Sequence, residues 1–306
     1  PANPFAVPGL EKYYGKDIFL TEALTREAIK ALDKERRENK PFFLYMAHYA
    51  IHVPLEKDMR FYEKYKRKGL SDNDAAYAAL IEGMDKSLGD LMDYLEKNEL
   101  MDNTIILFMS DNGGLASEPY WRNPLYVQNA PLSSGKGSAH EGGIREPMIA
   151  YWPDVTIPNS KSDKYLIIED FFPTILEMAQ IKRYHTVQHI DGVSFVPLLK
   201  GTGDSSKKRS LYWNFPNGWG KPGPGFGASC TIRKGDWKLI YYYGMQKKEL
   251  FNIAEDISEK QNLVDKYPDM VRKLSKELSI YLRQKKAQRP SFKDTGELVP
   301  WPDGTL

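Results

Sequence analysis

The apolar residues of this chain follow two different spacings in its first 200 positions. In some segments apolar residues recur three and four positions apart, which is the period of an amphipathic helix; these segments are 17–38, 59–68, 71–95 and 167–179. Other segments are short continuous apolar runs, typical of the buried strands of a parallel sheet; these are 41–46, 104–109 and 147–152. Helices that alternate with such strands predict an α/β fold around a mostly parallel sheet.

The pattern changes at a polar segment, residues 201–208. Beyond it, short stretches rich in β-branched and aromatic residues predict strands at 210–215, 227–233, 237–243 and 248–252. Gly235 and Asp236 form a turn signal that makes the middle two a hairpin, and a helix is predicted at 268–283. We therefore predict two domains, an α/β domain over residues 1–200 and a smaller α+β subdomain over residues 201–306.

Composition narrows the class of protein. The formal net charge is only +2, and no stripe of lysines and arginines stands out, which argues against a nucleic-acid partner. No apolar run approaches the roughly 20 residues needed for a transmembrane helix. Cys230 is the one cysteine, so the chain has no intrachain disulfide and no cysteine-based metal cluster, and we predict that Cys230 is a buried strand residue.

Candidate chemistry follows the predicted strand at 104–109. The strand ends in Ser110-Asp111-Asn112-Gly113, at the carboxyl end where open α/β sheets place their ligand sites. Asp111 and Asn112 carry the hard oxygens that a divalent cation such as calcium prefers, although the same residues also suit a plain turn. Downstream, Lys136 stands between two glycines and offers a compact positive charge to an anion.

These two motifs, S-D-N-G and the G-K-G-x-x-x-E-G-G-x-R-E-P of residues 135–147, resemble those of the sulfatase family. The resemblance extends from about residue 40 to about residue 263. It implies an alkaline-phosphatase-like sandwich of helices around a mostly parallel sheet, incomplete here, followed by a small antiparallel sheet with a helix. It also implies that Asp111 and Asn112 bind Ca²⁺ and that Lys136 contacts the sulfate.

The resemblance assigns His52 as well. His52 and Pro54 follow an apolar P-F-F-L run, where sulfatases carry a histidine that binds the sulfate and can protonate the leaving oxygen. Without the resemblance, His52 would be read as a loop histidine bonded to the backbone. Further candidates for substrate binding lie in the loops: His48, Trp121, Arg122, Trp219, and His140, which stands where many relatives carry a tyrosine.

Two parts of the family pattern are absent from this sequence: the paired aspartates near the start and the Cys/Ser-x-Pro-x-Arg segment that carries the nucleophile, a formylglycine in the family. We therefore expect the chain to be the C-terminal portion of a longer sulfatase. Its partner would be the N-terminal remainder, which completes the calcium site, and the isolated chain is predicted to be inactive. The resemblance also implies a periplasmic or secreted protein.

The predicted function is that of a sulfuric ester hydrolase acting on a sulfated carbohydrate, with formylglycine and calcium. One alternative is a phosphoester or phosphonate hydrolase of the same superfamily, because phosphate and sulfate esters share a tetrahedral geometry. Another is a non-catalytic relative that only binds sulfated glycans.

Overall fold

The computed structural model describes residues 6–115, 129–204, 209–218 and 223–305. The chain forms two compact units, Pro1–Ile105 and Ile106–Leu306. The domain boundary predicted near residue 200 from the change in sequence pattern stays a prediction.

The first unit is helical where the apolar spacing predicted helices. It contains α1 (Leu20–Arg37), α2 (Met59–Lys66) and α3 (Asp72–Lys97), and α3 packs against both others. Alanines on one face of α3 allow close packing against Tyr62 of α2. The hydroxyls of Thr25 and Ser87 form a buried hydrogen bond of 2.6 Å between α1 and α3. The three predicted helices are confirmed.

The apolar run at 41–46 is not a strand. Residues 41–49 have no regular secondary structure, and Phe43 and Tyr45 are 73% and 82% exposed. The prediction of a buried strand here is wrong for this structure. An apolar run identifies surface that favours burial, but a strand also needs a neighbouring strand, and within the described residues this segment has none.

The second unit begins with a two-stranded sheet. Strand β1 (Ile106–Met109) pairs antiparallel with β2 (Met148–Tyr151), with Met109 opposite Met148. Both strands were predicted, although a parallel sheet was expected and this described pair is antiparallel. Helices α4 (Glu141–Ile144), α5 (Phe171–Met178) and α6 (Val196–Leu199) belong to the same unit.

A four-stranded antiparallel sheet follows in the order β3-β4-β5-β6. The strands are β3 (Ser210–Phe215), β4 (Ser229–Lys234), β5 (Trp237–Tyr242) and β6 (Lys247–Asn252). The turn between β4 and β5 places Gly235 at a φ of 58°, a conformation that glycine adopts without strain. Helix α7 (Pro268–Gln284) packs against this sheet, starting with a proline whose missing N–H is not needed in the first turn. The predicted small sheet with a helix is confirmed, and with it the α/β class of the chain.

One hydrophobic core of the second unit lies between this sheet and α7. Leucines at positions 274, 278 and 282 of α7 meet apolar residues of β4, β5 and β6. Cys230 on β4 is 1% exposed, and burial raises the pKa of its thiol to about 12. The prediction that Cys230 is a buried strand residue is confirmed. Among the described ranges, none of the helices combines the length and the apolar character needed to cross a membrane.

Truncation of Leu278 should destabilise the second unit. Its side chain is fully buried, so Leu278→Ala removes apolar contacts and leaves a cavity, at a cost of about 2–5 kcal/mol in the free energy of unfolding. Ile280 lies on the same helix and is 43% exposed, so Ile280→Ala is the matched control and should cost much less. Urea unfolding followed by circular dichroism measures both, and equal costs would contradict the described packing.

Candidate active site

The end of β1 and the glycine-rich loop are joined by their backbones. The Gly113 N–H donates to the Gly143 carbonyl at 3.1 Å, and the Lys136 N–H donates to the Gly114 carbonyl at 3.0 Å. These bonds bring the Asp111-Asn112 segment and the Lys136 loop together in the second unit. Two motifs that are more than 20 residues apart in the sequence therefore form one site.

The glycines of both motifs are required by this close approach. A Cβ atom on Gly113 would lie 1.8 Å from the Gly142 carbonyl oxygen. A Cβ atom on Gly142 would lie 2.3 Å from the Ser134 carbonyl oxygen. Any larger residue would push the strand end away from the loop, so the glycine pattern maintains the distance between the candidate metal ligands and Lys136.

Asn129 is a third element of the site that the sequence did not indicate. Its side-chain oxygen accepts from the Gly114 N–H at 3.1 Å, and its amide group donates to the carbonyls of Gly114 and Ser134 at 2.8 and 3.0 Å. Asn129 thus connects the strand end to the start of the glycine-rich loop. The sequence around Asn129 does not predict this role, because Gly114, one of its partners, is 15 residues away and the contact depends on the fold.

Asp111 and Asn112 provide the oxygen chemistry for a cation. The Asp111 side chain is exposed. The Asn112 amide nitrogen donates to the Gly113 carbonyl at 3.1 Å, and the side-chain oxygen of Asn112 is the acceptor atom that suits a cation. Ca²⁺ takes about six to eight oxygen ligands. Within the described residues, no cluster of three or more His, Cys, Asp or Glu side chains could hold a metal. The two residues therefore fit a calcium site as part of a larger ligand set.

Glu146 adds negative charge beside Asp111. Burial, together with the negative charges of Asp111 and Glu141, raises the pKa of Glu146 to about 7. Its electrostatic coupling to Asp111 was missed, because it arises from the contact between β1 and the loop.

This coupling predicts a specific pH dependence. The folded pKa of Glu146 lies above its unfolded value, so the folded state binds more protons between about pH 4.5 and 7, and this group's contribution to stability falls as pH rises through that window. Asp111→Asn removes a neighbouring charge and should lower the pKa of Glu146. Carboxyl-carbon NMR titration measures this pKa, with exposed Asp154→Asn as the control. An unchanged pKa in Asp111→Asn would contradict the coupling.

His140 is buried inside the loop structure. Its side chain is 4% exposed, its Nδ1 is 2.9 Å from the Ser133 hydroxyl, and its Nε2 is 3.1 Å from Glu249 Oε2. Because both ring nitrogens have protein partners, this arrangement argues against the predicted contact between His140 and substrate. The buried ring instead supports the loop that carries Lys136.

His52 and His48 belong to the first unit. His52 is exposed, with its Nδ1 2.8 Å from the carbonyl oxygen of Val53, so the ring is oriented by a local backbone contact. His48 is half-buried, and burial lowers its pKa. Its Nδ1 has no hydrogen-bond partner within the described residues. The roles predicted for both histidines stay predictions.

The remaining candidates, Trp121, Arg122 and Trp219, lie outside the described residues. Their predicted contacts with substrate also stay predictions.

Comparisons with known proteins match sulfatases along nearly the whole chain. Residues 7–181 match the model of the sulfatase family, and residues 135–288 match that of the C-terminal region of N-sulphoglucosamine sulphohydrolase. A sulfatase from Formosa agariphila is 30% identical over 98% of this chain and 56% of its own length. An N-acetylgalactosamine-6-O-sulfatase from Bacteroides thetaiotaomicron is 28% identical over 85% of this chain and 50% of its own.

A solved structure agrees with these matches. Ps i-CgsB, crystallised in complex with a neocarrahexaose, superposes with a TM-score of 0.75 at 30% identity, covering 91% of this chain and 58% of that one. The chain thus spans about half the length of the curated relatives it matches. The matched family model covers more than half of the chain, and it includes both Asp111-Asn112 and Lys136. The chain belongs to the sulfatase family, within the alkaline-phosphatase-like superfamily.

Proposed function

We propose that this chain is the C-terminal portion of a sulfuric ester hydrolase that acts on a sulfated carbohydrate. The observation that carries the proposal is the backbone junction between the Asp111-Asn112 strand end and the Lys136 loop. The two segments that it joins carry two candidate oxygen ligands for a cation and a lysine on a glycine-rich loop, which supports the proposal. Such a pairing suits a substrate that is an anion.

A sulfate ester needs three kinds of assistance to be cleaved. Its non-bridging oxygens need positive charge, its sulfur needs an in-line nucleophile, and its leaving oxygen needs a proton. The Lys136 ammonium would bind a non-bridging oxygen, and His52 would deliver the proton to the leaving oxygen. Asp111 and Asn112 would hold Ca²⁺, which when bound supplies further positive charge to the sulfate oxygens.

The nucleophile and the remaining metal ligands would come from the N-terminal remainder of the longer protein. This sequence contains no Cys/Ser-x-Pro-x-Arg segment. Apolar surface is open in each unit: Phe43 and Tyr45 in the first, and Ile149 in the second, where it is 63% exposed. Large exposed apolar groups of this kind suit burial by further chain. From the family resemblance we infer that the longer protein is periplasmic or secreted.

The carbohydrate substrate is supported by the relatives. One is named for N-acetylgalactosamine-6-O-sulfate chemistry, and one was crystallised with a carrageenan-type oligosaccharide. A sulfated sugar presents hydroxyl groups and a ring that aromatic residues can stack on. Which sulfate position on the sugar is cleaved would be determined by the complete site of the longer protein.

The first experiment concerns the longer protein. N-terminal sequencing and intact mass would identify a Cys/Ser-x-Pro-x-Arg segment and a mass loss consistent with formylglycine. We expect the longer protein to hydrolyse an aryl sulfate faster than the matching aryl phosphate, and the 306-residue chain to show no turnover. Faster phosphate cleavage would favour the phosphoester or phosphonate hydrolase. Affinity for sulfated sugars without turnover would favour the non-catalytic relative.

A further inference from the structure

A group of buried charges connects the Lys136 loop to the four-stranded sheet. At its centre is Lys238 of β5, whose side chain is fully buried. The Lys238 Nζ lies 2.9 Å from Glu141 Oε1 and 2.9 Å from Glu259 Oε1. Glu141 is the first residue of α4, directly after the loop, whereas Glu259 follows β6. One lysine therefore links two carboxylates more than 100 residues apart in the sequence.

Glu141 is held by its backbone as well as by its side chain. Its N–H donates to Glu259 Oε2 at 2.5 Å, and its Oε2 accepts from the Arg233 guanidinium at 3.2 Å. Burial by itself raises the pKa of Glu141, but the charges of Lys238 and Arg233 keep that pKa below its usual value. Arg145 lies 3.8 Å from the same carboxylate, so three cations surround Glu141. Lys238 offsets the burial of Glu259 only in part, and the pKa of Glu259 is raised by burial.

His140 forms a second attachment beside the first. Its ring joins Ser133, at the start of the loop, to Glu249 of β6, which also accepts from the Tyr242 hydroxyl at 2.6 Å. The segment before β4 contributes a third contact, because the Ala139 N–H donates to the Gly225 carbonyl at 2.9 Å. Both ends of the loop that carries Lys136 are thereby attached to the sheet.

These attachments continue to Lys136 through short backbone bonds. The Gly142 N–H donates to the Ser133 carbonyl at 2.9 Å, which closes the loop, and Gly143 accepts from Gly113 next to the candidate metal ligands. We propose that Lys238, Glu141, Glu259 and His140 are positioning residues, through which the C-terminal sheet fixes the Lys136 loop against the end of β1. The inference rests on the proposed function only for the role of Lys136 toward sulfate.

The physical reason is the cost of holding a loop still. A glycine-rich loop gains conformational entropy when released, whereas a catalytic cation must be placed accurately before the substrate arrives. Buried charges at the base of the loop supply the opposing constraint, since any displacement of Glu141 leaves Lys238 partly unpaired in a dry site. The sheet would thus act on the reaction without touching the substrate.

Amide hydrogen exchange of the 306-residue chain tests directly whether these residues position the loop. In Lys238→Met we expect the amides of Gly113, Lys136 and Gly142 to exchange at least tenfold faster, with a much smaller change in the β4–β5 ladder. Glu259→Gln keeps the shape of the site and should give the same pattern more weakly, which covers the case in which Lys238→Met folds poorly.

Two control variants separate positioning from a general loss of stability. Leu250→Ala weakens the core of the same sheet without touching the charges, so its loop amides should accelerate no more than its strand amides. Lys247→Met removes an exposed lysine of β6 and should change nothing. If Lys238→Met accelerates loop and strand amides equally, or leaves the loop amides unchanged, the positioning role is wrong.

The longer protein gives a second readout. Lys238→Met should lower kcat on an aryl sulfate at least tenfold while KM changes less than threefold, and Leu250→Ala should leave kcat unchanged at a temperature where the variant is folded. If the loop amides exchange faster in Lys238→Met but kcat is unchanged, the position of the loop does not affect turnover and that part of the proposal is wrong. Absence of turnover in the unsubstituted longer protein would instead contradict the proposed function, and the exchange result would stand independently.

Discussion

Asp170→Ala is expected to destabilise the second unit by about 3–5 kcal/mol, the cost of breaking a buried ion pair by removing one partner. The Asp170 side chain is fully buried and accepts two bonds from the guanidinium of Arg209, one of them at 2.7 Å. It also accepts from the backbone N–H groups of Ile167 and Val193 at 3.0 and 2.9 Å. The substitution would leave a cation that is 17% exposed and two amide donors without acceptors.

The same carboxylate connects three parts of the chain: the turn before α5, the loop before α6 and the start of β3. Its loss should therefore lower the cooperativity of unfolding as well as the midpoint. Asp163→Ala is the control, because its side chain is 89% exposed and its ion pair is with the adjacent Lys164, so the cost should be within about 0.5 kcal/mol. Urea unfolding at matched pH measures both variants. A cost below 1 kcal/mol for Asp170→Ala would show that Arg209 finds another partner.

Local pattern was sufficient for much of the secondary structure. The helical stripe of α3 and its serine cap are local signals, and the helix begins at Asp72 with Ser71 accepting from the Asp74 N–H at 3.2 Å. The turn signal Gly235-Asp236 likewise predicted the β4–β5 hairpin. In these elements the residues that decide the conformation are near neighbours in the sequence, so a single sequence contains the needed information.

Elements that depend on a distant partner were predicted less well. The 41–46 run has the composition of a buried strand, yet no described strand pairs with it. Strands β1 and β2 were placed correctly, but their antiparallel pairing was not, because the direction of pairing depends on the path of the chain between them. The composition of a segment indicates that its side chains favour burial, but it does not identify the element that packs against them.

The candidate site divides in the same way. Asp111, Asn112 and Lys136 stand in compact motifs, and these motifs could be recognised. Asn129 and Lys238 could not, because an asparagine in a long loop and a lysine in a strand both have ordinary surface roles in most proteins. Their importance comes from burial and from partners far away in the sequence. His140 was recognised as part of the motif and predicted to contact substrate. In the structure its side chain is buried, and its ring nitrogens contact Ser133 and Glu249.

Lys136→Ala in the longer protein should lower kcat on an aryl sulfate by about 10²–10³-fold, the loss typical of removing one preorganised group that stabilises transition-state charge. The Lys136 backbone is fixed by its bond to the Gly114 carbonyl, and Gly137, with a φ of 87°, allows the turn that follows. The backbone that carries the ammonium is therefore hydrogen-bonded to the segment that follows Asp111 and Asn112. An interaction that strengthens as charge develops on the sulfate affects kcat more than KM.

Lys161→Ala provides the control for this prediction, because Lys161 is an exposed lysine of the same unit and outside the site. Steady-state kinetics on an aryl sulfate, with calcium present, gives kcat and KM for both variants. Lys136→Arg is informative as a third variant: it keeps the charge, but the planar guanidinium cannot occupy the position of a compact ammonium, so recovery should be partial. A change confined to KM in Lys136→Ala would mean that Lys136 binds the ground state and the transition state equally. In that case the positive charge that stabilises the transition state would have to come from the cation that Asp111 and Asn112 are proposed to hold.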